Sequence, residues 1–171
     1  MKPLPDYDEL HRLFCYNPET GFLICKTNGR NGQRKKGQII GQISNSKRYI
    51  QLAINGNKYM LHHIAYKLMT KQNPPDGMVI DHIDNNKHNN RWSNLRICSQ
   101  RNNCRNQSKT KLRKYDLPKG VTYVKSKGLY KCQLKIEDGK FYSKYFHTVE
   151  DAHNHYCELS KQYFGEYYNY G

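Results

Sequence analysis

The amino-acid sequence predicts an α+β fold that is divided into two modules. Short segments with alternating apolar residues, which are typical of half-buried strands, are interspersed with segments that carry a helical apolar stripe. Hydrophobic residues make up 36% of the chain, a low share that favours a thin or divided core. The composition changes at residues 108–117, which are charged and short of large apolar groups. We interpret this segment as a basic linker between residues 1–107 and 118–171.

The first residues predict a helix followed by two short strands. In YDELHRLFCY, Leu10, Leu13 and Phe14 fall on one face of a helix, and the NPETG that follows is typical of a helix end. The segments GFLICKT and QIIGQIS are typical of strands and flank a basic loop that contains glycine.

A hairpin and a second helix are expected next. In YIQLAING, Ile50, Leu52 and Ile54 alternate with Gln and Ala, and Asn55-Gly56 is a preferred two-residue turn. The following LHHIAYKLM carries a helical apolar stripe, and NPPDG ends it. The residues of that stripe are Leu61, Ile64, Ala65 and Leu68.

The net charge indicates a polyanionic partner. The chain has 29 Lys and Arg against 14 Asp and Glu, which gives a formal net charge of +15. Clustered cations bind nucleic acid because they release condensed counterions, although a basic surface is also compatible with simple solvation or with a membrane surface. The 15 Tyr and 5 Phe residues can stack on bases or pack a small core, and composition does not distinguish the two.

Cysteine spacing and hydropathy argue against several protein classes. None of the six cysteines forms a C-x-x-C pair, which argues against a zinc ribbon. The N-terminal MKPLPDYDEL lacks the apolar region of a secretory signal, and no apolar run approaches the length of a membrane span. We therefore expect reduced thiols and a cytoplasmic protein with no membrane partner.

The segment VIDHIDNNKHNNRWSNLRICSQRNNCRN is the strongest candidate for a functional site. A strand is expected to end at His82, NLRICS is a second strand, and SQRNNCRNQ can open a helix capped by Ser99. An Asp-His pair in an Asn-rich stretch is by itself typical of a solvated loop. The joint spacing of His82, Asn94 and Asn103 within a strand–loop–strand–helix order favours an active site.

This segment resembles the HNH nuclease motif of the ββα-metal fold, above all in its phage and intron homing-endonuclease branch. That branch has the pattern D-H-x-D-x-N-x-x-N-N, then N-L-R, then N, and YNPETGFL and LHHIAYKLM also resemble it, so that the likeness covers about residues 8 to 107. The third letter is Asn where the general motif has His, and an amide oxygen is a weaker ligand than imidazole. The matching residues are Asp81, His82, Asp84, Asn86, Asn89, Asn90, Asn94, Leu95, Arg96 and Asn103.

The resemblance implies metal-dependent hydrolysis of a DNA phosphodiester. His82 would be the general base, because a neutral imidazole with an ordinary pKa of about 6.5 suits proton abstraction. Hard divalent cations prefer oxygen ligands, so Asp81 and Asn103 are the predicted ligands of Mg²⁺, for which Mn²⁺ should substitute. Asn94 is expected to brace the loop and to orient His82, although a turn-capping amide predicts the same geometry.

Other residues near the motif also have predicted roles. Arg101 and Arg105, on the helix that follows the second strand, are expected to contact DNA. For His62, helix packing or a phosphate contact is favoured over catalysis. Asp84 is expected to form hydrogen bonds within the loop, with a metal contact as the alternative.

The C-terminal module is expected to form a three-stranded antiparallel sheet packed on one helix. In KCQLKI, Lys131, Gln133 and Lys135 alternate with apolar residues, EDGK supplies a turn, and FYSKYF is the next strand. Thr148 is the predicted N-cap of a helix that Gly165 ends. The apolar stripe of that helix is Val149, Ala152, Tyr156, Leu159 and Tyr163.

The C-terminal module resembles the APETALA2-type DNA-binding domain, which is also found attached to homing nucleases. KGV, G-x-Y, YF-x-T-x-E-D-A and FGE match that family over about 48 residues, and the resemblance implies a sheet that enters the major groove. Lys and Tyr stand where the family often has Arg and Trp, which favours phosphate contacts over base readout; a merely solvated face is the alternative. The predicted DNA-binding residues are Lys119, Thr122, Lys127, Gln133, Lys135, Lys140 and Tyr142.

These observations predict a site-specific, homing-type endonuclease that acts on double-stranded DNA. One active site per chain predicts that a monomer nicks one strand, with a dimer as the alternative. The rival functions are a catalytically inactive DNA-binding regulator and an RNA-binding protein, although the latter leaves the Asp81-His82 cluster unexplained. The resemblance implies a cytoplasmic location in a bacterial or phage-infected cell.

Overall fold

The computed structural model describes residues 3–29, 32, 34–42, 49–106, 117–136 and 139–168. Two compact units make up the chain, Met1–Gln100 and Arg101–Gly171. Both contain helices and strands, which confirms the α+β class. The predicted linker lies outside the described residues except for Leu117, and a domain boundary at residue 107 stays a prediction.

The first unit consists of short strands around two helices. In chain order these elements are α1 (Tyr7–Leu13), β1 (Phe14–Asn17), β2 (Phe22–Cys25), β3 (Ile39–Ile40), β4 (Gln51–Ile54), β5 (Asn57–Met60), α2 (Leu61–Thr70), β6 (Met78–His82) and β7 (Leu95–Ser99). A single 3₁₀ turn at Trp92–Asn94 leads into β7.

The first helix ends one residue earlier than its apolar pattern predicts. Asp6 caps α1 by accepting a hydrogen bond from Glu9 N (2.7 Å), and the helix stops at Leu13. Phe14 therefore does not belong to the helical face; it begins β1, with its side chain buried. The NPETG segment is the turn of a β1–β2 hairpin rather than a helix end.

The hairpin predicted around Asn55-Gly56 is present. β4 and β5 pair antiparallel, and the turn between them uses Asn55 (φ 49°) and Gly56 (φ 78°), as an Asn-Gly turn should. α2 follows β5 directly and buries its apolar stripe. The buried core of the first unit comprises Leu10, Phe14, Leu23, Cys25, Ile50, Leu52, Ile54, Tyr59, Leu61, Ile64, Ala65, Ile80 and Leu95.

The hairpin of β6 and β7 positions the candidate site. The two strands pair antiparallel, so that Asp81 lies opposite Arg96 and His82 lies opposite Leu95. The buried Ile80 anchors β6 in the core, and Trp92 packs against the same core from the connecting loop. The strand–loop–strand order predicted for this segment is therefore correct.

The second unit contains a three-stranded antiparallel sheet and a long helix. After α3 (Gln100–Asn106), which begins at the last residue of the first unit, come β8 (Val121–Val124), β9 (Leu129–Lys135), β10 (Phe141–Phe146) and α4 (Val149–Phe164). The strand order is β10-β9-β8. The core between this sheet and α4 consists of Val121, Cys132, Leu134, Ala152 and Tyr156.

Both predicted ends of α4 are observed, but its apolar stripe differs in the last turn. Thr148 Oγ1 accepts a hydrogen bond from Asp151 N (3.1 Å), and Gly165 is the C-cap. Tyr163 is 46% exposed, so its assignment to the stripe was wrong. Phe164 packs against the core instead, because it lies four residues after the buried Ser160 and eight after the buried Tyr156, on the same face of the helix.

No helix among the described residues is long and apolar enough to cross a membrane.

Candidate active site

The two central residues of the motif lie side by side at the end of β6. Asp81 is 5% exposed and His82 is 4% exposed. Two adjacent strand residues point to opposite faces, and burial of both polar side chains requires partners on each face. The partners come from the loop between β6 and β7 and from β7 itself.

The imidazole of His82 is held by Asn90. His82 Nε2 lies 3.1 Å from Asn90 Oδ1, and Asn90 is 2% exposed. The orientation of the Asn90 amide is set by its Nδ2, which donates to the backbone carbonyl of His88 (3.1 Å). Because Oδ1 can only accept, this arrangement makes Nε2 of His82 the protonated ring nitrogen.

Burial keeps the His82 ring neutral near physiological pH. Burial lowers the pKa of His82, and this outweighs the opposing effects of the Asn90 hydrogen bond and of the Asp84 and Asp81 carboxylates; the nearby Lys87 ammonium lowers it further. A neutral ring is the form that accepts a proton, which suits a general base.

Aromatic side chains enclose His82 on the side of α2. The His62 ring meets it edge to face, with centroids 5.0 Å apart, and the Tyr49 ring lies 5.8 Å away. Burial, with smaller contributions from His63 and His82, lowers the pKa of His62 to about 2, so this ring is neutral. His62 is thus a buried, neutral ring that packs against His82, which agrees with the prediction of a helix-packing role.

Asn94 and Asp84 brace the loop between the two strands. Asn94 Nδ2 donates to Asp84 Oδ1 (2.9 Å) and to the carbonyl of Asn89 (2.7 Å), while Asn94 Oδ1 accepts from Asp84 N (3.1 Å). Asp84 also accepts hydrogen bonds from Asn86 N (2.8 Å) and Asn89 Nδ2 (2.7 Å). Asn94 therefore connects the parts of the loop, whereas Asn90 hydrogen-bonds the His82 ring.

Asp81 pairs with its cross-strand neighbour. Arg96 donates from Nε (3.1 Å) and Nη2 (2.9 Å) to Asp81 Oδ2, and both side chains are largely buried. Such a charge-assisted pair compensates for burial of the carboxylate and fixes its orientation.

The second predicted metal ligand lies in the other unit. Asn103 is half-buried on α3 within the second unit. Among the described residues, no group of three or more His, Cys, Asp or Glu side chains could hold a metal ion. The assignment of Asn103 as a ligand stays a prediction.

The C-terminal sheet has one side that faces solvent, but the residues on this side are not all those that were predicted. Residues paired across strands share a face, and Gln133 and Lys135 lie opposite Ser143 and Phe141. Tyr142 lies opposite the buried Leu134, and its hydroxyl hydrogen-bonds His155 Nε2 of α4 (3.0 Å). Tyr142 therefore lies on the side of the sheet that packs on α4, whereas the prediction had counted it with Gln133 and Lys135 on the side that contacts DNA.

The remaining predicted contacts have different surroundings. Lys119 is half-buried and donates to the carbonyl of Arg105 (3.0 Å), whereas Lys127 lies over the ring of Tyr145 (4.1 Å) on the exposed side. Thr122 pairs with Lys131 and is exposed, and Lys140 is exposed before β10. The side chains of Arg101 and Arg105 line one cavity of about 470 Å³ with Lys135 and Gly139.

Comparison with known proteins decides the nature of the first site. Residues 59–105, which include the β6–β7 hairpin, match the HNH endonuclease family model. These residues carry an HNH endonuclease domain. A similar protein is an uncharacterized HNH endonuclease of Acanthamoeba polyphaga mimivirus, which is 32% identical over 111 residues. That match covers 64% of this chain and 56% of the viral protein, so the chain spans about half the length of the relative that it matches.

The match over residues 59–105 agrees with the prediction of a nuclease, a class that generally depends on divalent metal. No solved structure matches the chain significantly. The family model ends at residue 105, so the APETALA2-type resemblance of the C-terminal module stays a prediction.

Two residues with evident roles in the HNH domain had no predicted role. Asn90 and Arg96 belong to the motif pattern, yet the pattern does not reveal which side chain each one contacts. The opposite charges of Asp81 and Arg96 could have suggested that the two residues pair across the strands. The long loop between β6 and β7 leaves the register of the two strands undefined, so the sequence alone does not predict this pair. For Asn90 no signal in the sequence separates it from the other asparagines of the loop.

Proposed function

We propose that this protein is a site-specific, homing-type endonuclease that hydrolyses phosphodiester bonds of double-stranded DNA with the help of a divalent cation. The observation that carries the proposal is the buried His82–Asn90 pair beside Asp81 in an HNH endonuclease domain. A buried histidine with a fixed tautomer next to a buried carboxylate is costly to build for stability alone.

His82 is the proposed general base. Since Nε2 is committed to Asn90 Oδ1, the lone pair lies on Nδ1. We propose that Nδ1 takes a proton from the water that attacks phosphorus. The lowered pKa of His82 keeps this nitrogen unprotonated at neutral pH.

Asp81 is the proposed metal ligand of the first unit. A carboxylate suits a hard cation such as Mg²⁺ or Mn²⁺, and Arg96 engages Oδ2 of this carboxylate without removing its negative charge. The bound cation would supply charge neutralisation at the phosphate and at the leaving 3′ oxygen. Asn103 is proposed as the second ligand from the resemblance alone. A small protein ligand set suits Mg²⁺, which usually keeps several waters.

The second unit is proposed to bind the DNA backbone. Arg101, Arg105 and Lys135 bring three cations to one cavity, and this concentration of positive charge suits a phosphate group of the DNA backbone. On the solvent face of the sheet, Lys127 covers the Tyr145 ring and Lys135 the Phe141 ring (5.8 Å), which places charge beside exposed aromatic surface. Because these contacts are lysine-rich, we expect affinity to come mainly from phosphates.

One active site per chain supports nicking by a monomer; a double-strand break would need a dimer or two sequential events. The expected products carry a 5′ phosphate and a 3′ hydroxyl.

The test is cleavage of a supercoiled plasmid library that carries genomic fragments. We expect nicked circles with Mg²⁺ or Mn²⁺, none with a chelator, and resealing of the nicks by a DNA ligase. Intact supercoiled DNA with every divalent cation, combined with sequence-specific binding, would contradict nuclease activity and support the regulator. Tighter binding of single-stranded RNA than of duplex DNA would support an RNA-binding protein.

A further inference from the structure

The turn of the β1–β2 hairpin contacts the segment that holds Asn90. Tyr16 OH donates to the backbone carbonyl of Asn90 (2.6 Å), and Trp92 N donates to the carbonyl of Pro18 (2.9 Å). Burial raises the pKa of Tyr16, so its hydroxyl stays protonated and able to donate. Asn90 is thus bound by the hairpin through its main chain and by His82 through its side chain.

Backbone packing brings the hairpin still closer to this segment. Gly21 has φ +76°, and a Cβ at this position would lie 2.4 Å from Asn90 C and 2.5 Å from Arg91 N. Non-bonded carbon atoms essentially never come this close to backbone atoms. Any side chain at position 21 would therefore displace either the turn or the segment that carries Asn90.

The turn is itself ordered by local hydrogen bonds. Asn17 Oδ1 accepts from Glu19 N (2.9 Å) and Thr20 N (3.1 Å), and Gly21 N donates to the carbonyl of Asn17 (2.9 Å). The β1–β2 pairing then anchors the turn to the core through Phe14 and Leu23. Because these hydrogen bonds lie within the hairpin itself, the turn can fix the position of the β6–β7 segment that contains Asn90.

We propose that Tyr16 and Gly21 are positioning residues for the nuclease reaction, which act on His82 through Asn90. This inference rests on the proposed function. Tyr16 fixes the Asn90 main chain, and Asn90 Oδ1 in turn selects the His82 tautomer and the orientation of its ring. The N-terminal hairpin is thereby part of the active-site framework, although none of its residues touches the reacting atoms.

Tyr16→Phe tests the proposal because it removes one hydroxyl and keeps the ring. We expect kcat for DNA cleavage to fall about tenfold with KM within about twofold, as for other partners that orient active-site ligands. Tyr59→Phe is the matched control, since Tyr59 is a buried tyrosine of the same core and belongs to β5. It should leave kcat within about twofold of wild type.

A spectroscopic measurement separates positioning from a general loss of fold. Nitrogen NMR of the full-length protein, with the His82 signals assigned from His82→Gln, should show the Nε2–H tautomer in wild type and in Tyr59→Phe. In Tyr16→Phe we expect a mixture of tautomers, and in Gly21→Ala a larger change in the same direction. If Tyr16→Phe does not fold, Gly21→Ala provides the same test, with Gly56→Ala as its control because open space surrounds Gly56.

Unchanged kcat together with an unchanged His82 tautomer in both variants would overturn the positioning role. If wild type cleaves no DNA with any divalent cation, the proposed function fails, but the NMR measurement still decides whether the hairpin sets the tautomer.

Discussion

At the scale of single residues, the sequence predicts which residue types form the site more easily than it predicts which side chains contact each other. The sequence motif singled out Asp81 and His82 through their joint spacing with Asn94 and Asn103, because an adjacent carboxylate and imidazole alone are typical of a solvated loop. It did not identify Asn90 as the partner of His82 Nε2, because several asparagines share the loop and only folding selects among them. Tyr142 was misplaced for a related reason: alternation shows that residues share a face, but not which face is buried.

Asp84 offers a residue-scale test of the loop. Its carboxylate, although partly desolvated, accepts three hydrogen bonds, and these lower its pKa. Because the folded pKa is depressed, the stabilisation is present above the ordinary carboxyl pKa of about 3.9 and is lost as the pH falls through the folded value. We expect Asp84→Ala to lower the free energy of unfolding by about 1 kcal/mol at neutral pH.

Urea unfolding at a series of pH values measures this effect. The difference between Asp84→Ala and wild type should shrink as the pH falls from about 7 toward about 2. Asp76→Ala, which removes another exposed carboxylate of the same unit, should show little difference at either end. A difference for Asp84→Ala that grows on acidification would show that the hydrogen bonds do not favour the ionised form.

At the scale of elements, helices and strands whose ends carry a clear sequence signal were predicted correctly. The Asn55-Gly56 turn, the Thr148 cap and the β6–β7 pair all have local signals that tertiary contacts do not override. β1 was missed because Phe14 also fits the stripe of α1, and a short apolar run is ambiguous between the two periods. β5 has no apolar alternation of its own and is defined by its pairing with β4.

The junction between β8 and α4 provides an element-scale prediction. Gly120 has φ +79°, and a Cβ there would lie 2.0 Å from the Tyr156 ring. Gly120→Ala should therefore destabilise the second unit by about 2–4 kcal/mol, from overpacking and from the unfavourable φ together. Thermal unfolding monitored by tyrosine fluorescence would measure the loss.

Gly128→Ala separates the two causes. Gly128 also has a positive φ (+62°), but nothing lies within 4 Å of its Cβ position, so this variant should lose only about 1 kcal/mol. Equal losses at both positions would mean that Tyr156 moves aside without cost.

The cavity formed by α3 and β9 yields a second prediction at this scale. If Arg101 and Lys135 contact one phosphate, the effects of Arg101→Ala and Lys135→Ala on DNA affinity should be coupled by about 0.5–1 kcal/mol in the double variant. Fluorescence anisotropy with a DNA duplex and no divalent cation measures affinity without cleavage. In the control, Arg101→Ala is combined with Lys144→Ala, and the two effects on DNA affinity should add. If the effects of Arg101→Ala and Lys135→Ala also add, the two side chains do not share a phosphate.

At the scale of the whole molecule, the described residues form two compact units with separate cores, while the predicted division at residues 108–117 stays a prediction. The low hydrophobic content anticipated such a divided core. The position of α3 could not be anticipated, because its contacts with the rest of the second unit include a ring contact and hydrogen bonds to main-chain carbonyls. Arg105 lies over the Phe164 ring (3.9 Å), and its carbonyl accepts a hydrogen bond from Lys119. Neither contact leaves a periodic pattern in the sequence.

The most direct test of the central claim, that His82 is the base of a DNA-cleaving site, is the single-turnover cleavage rate of His82→Gln with saturating Mg²⁺. We predict a rate at least about 100-fold below wild type, with DNA affinity unchanged. His11→Ala, which removes an exposed histidine of the same unit, should cleave like wild type. A His82→Gln rate within a few-fold of wild type would contradict the claim.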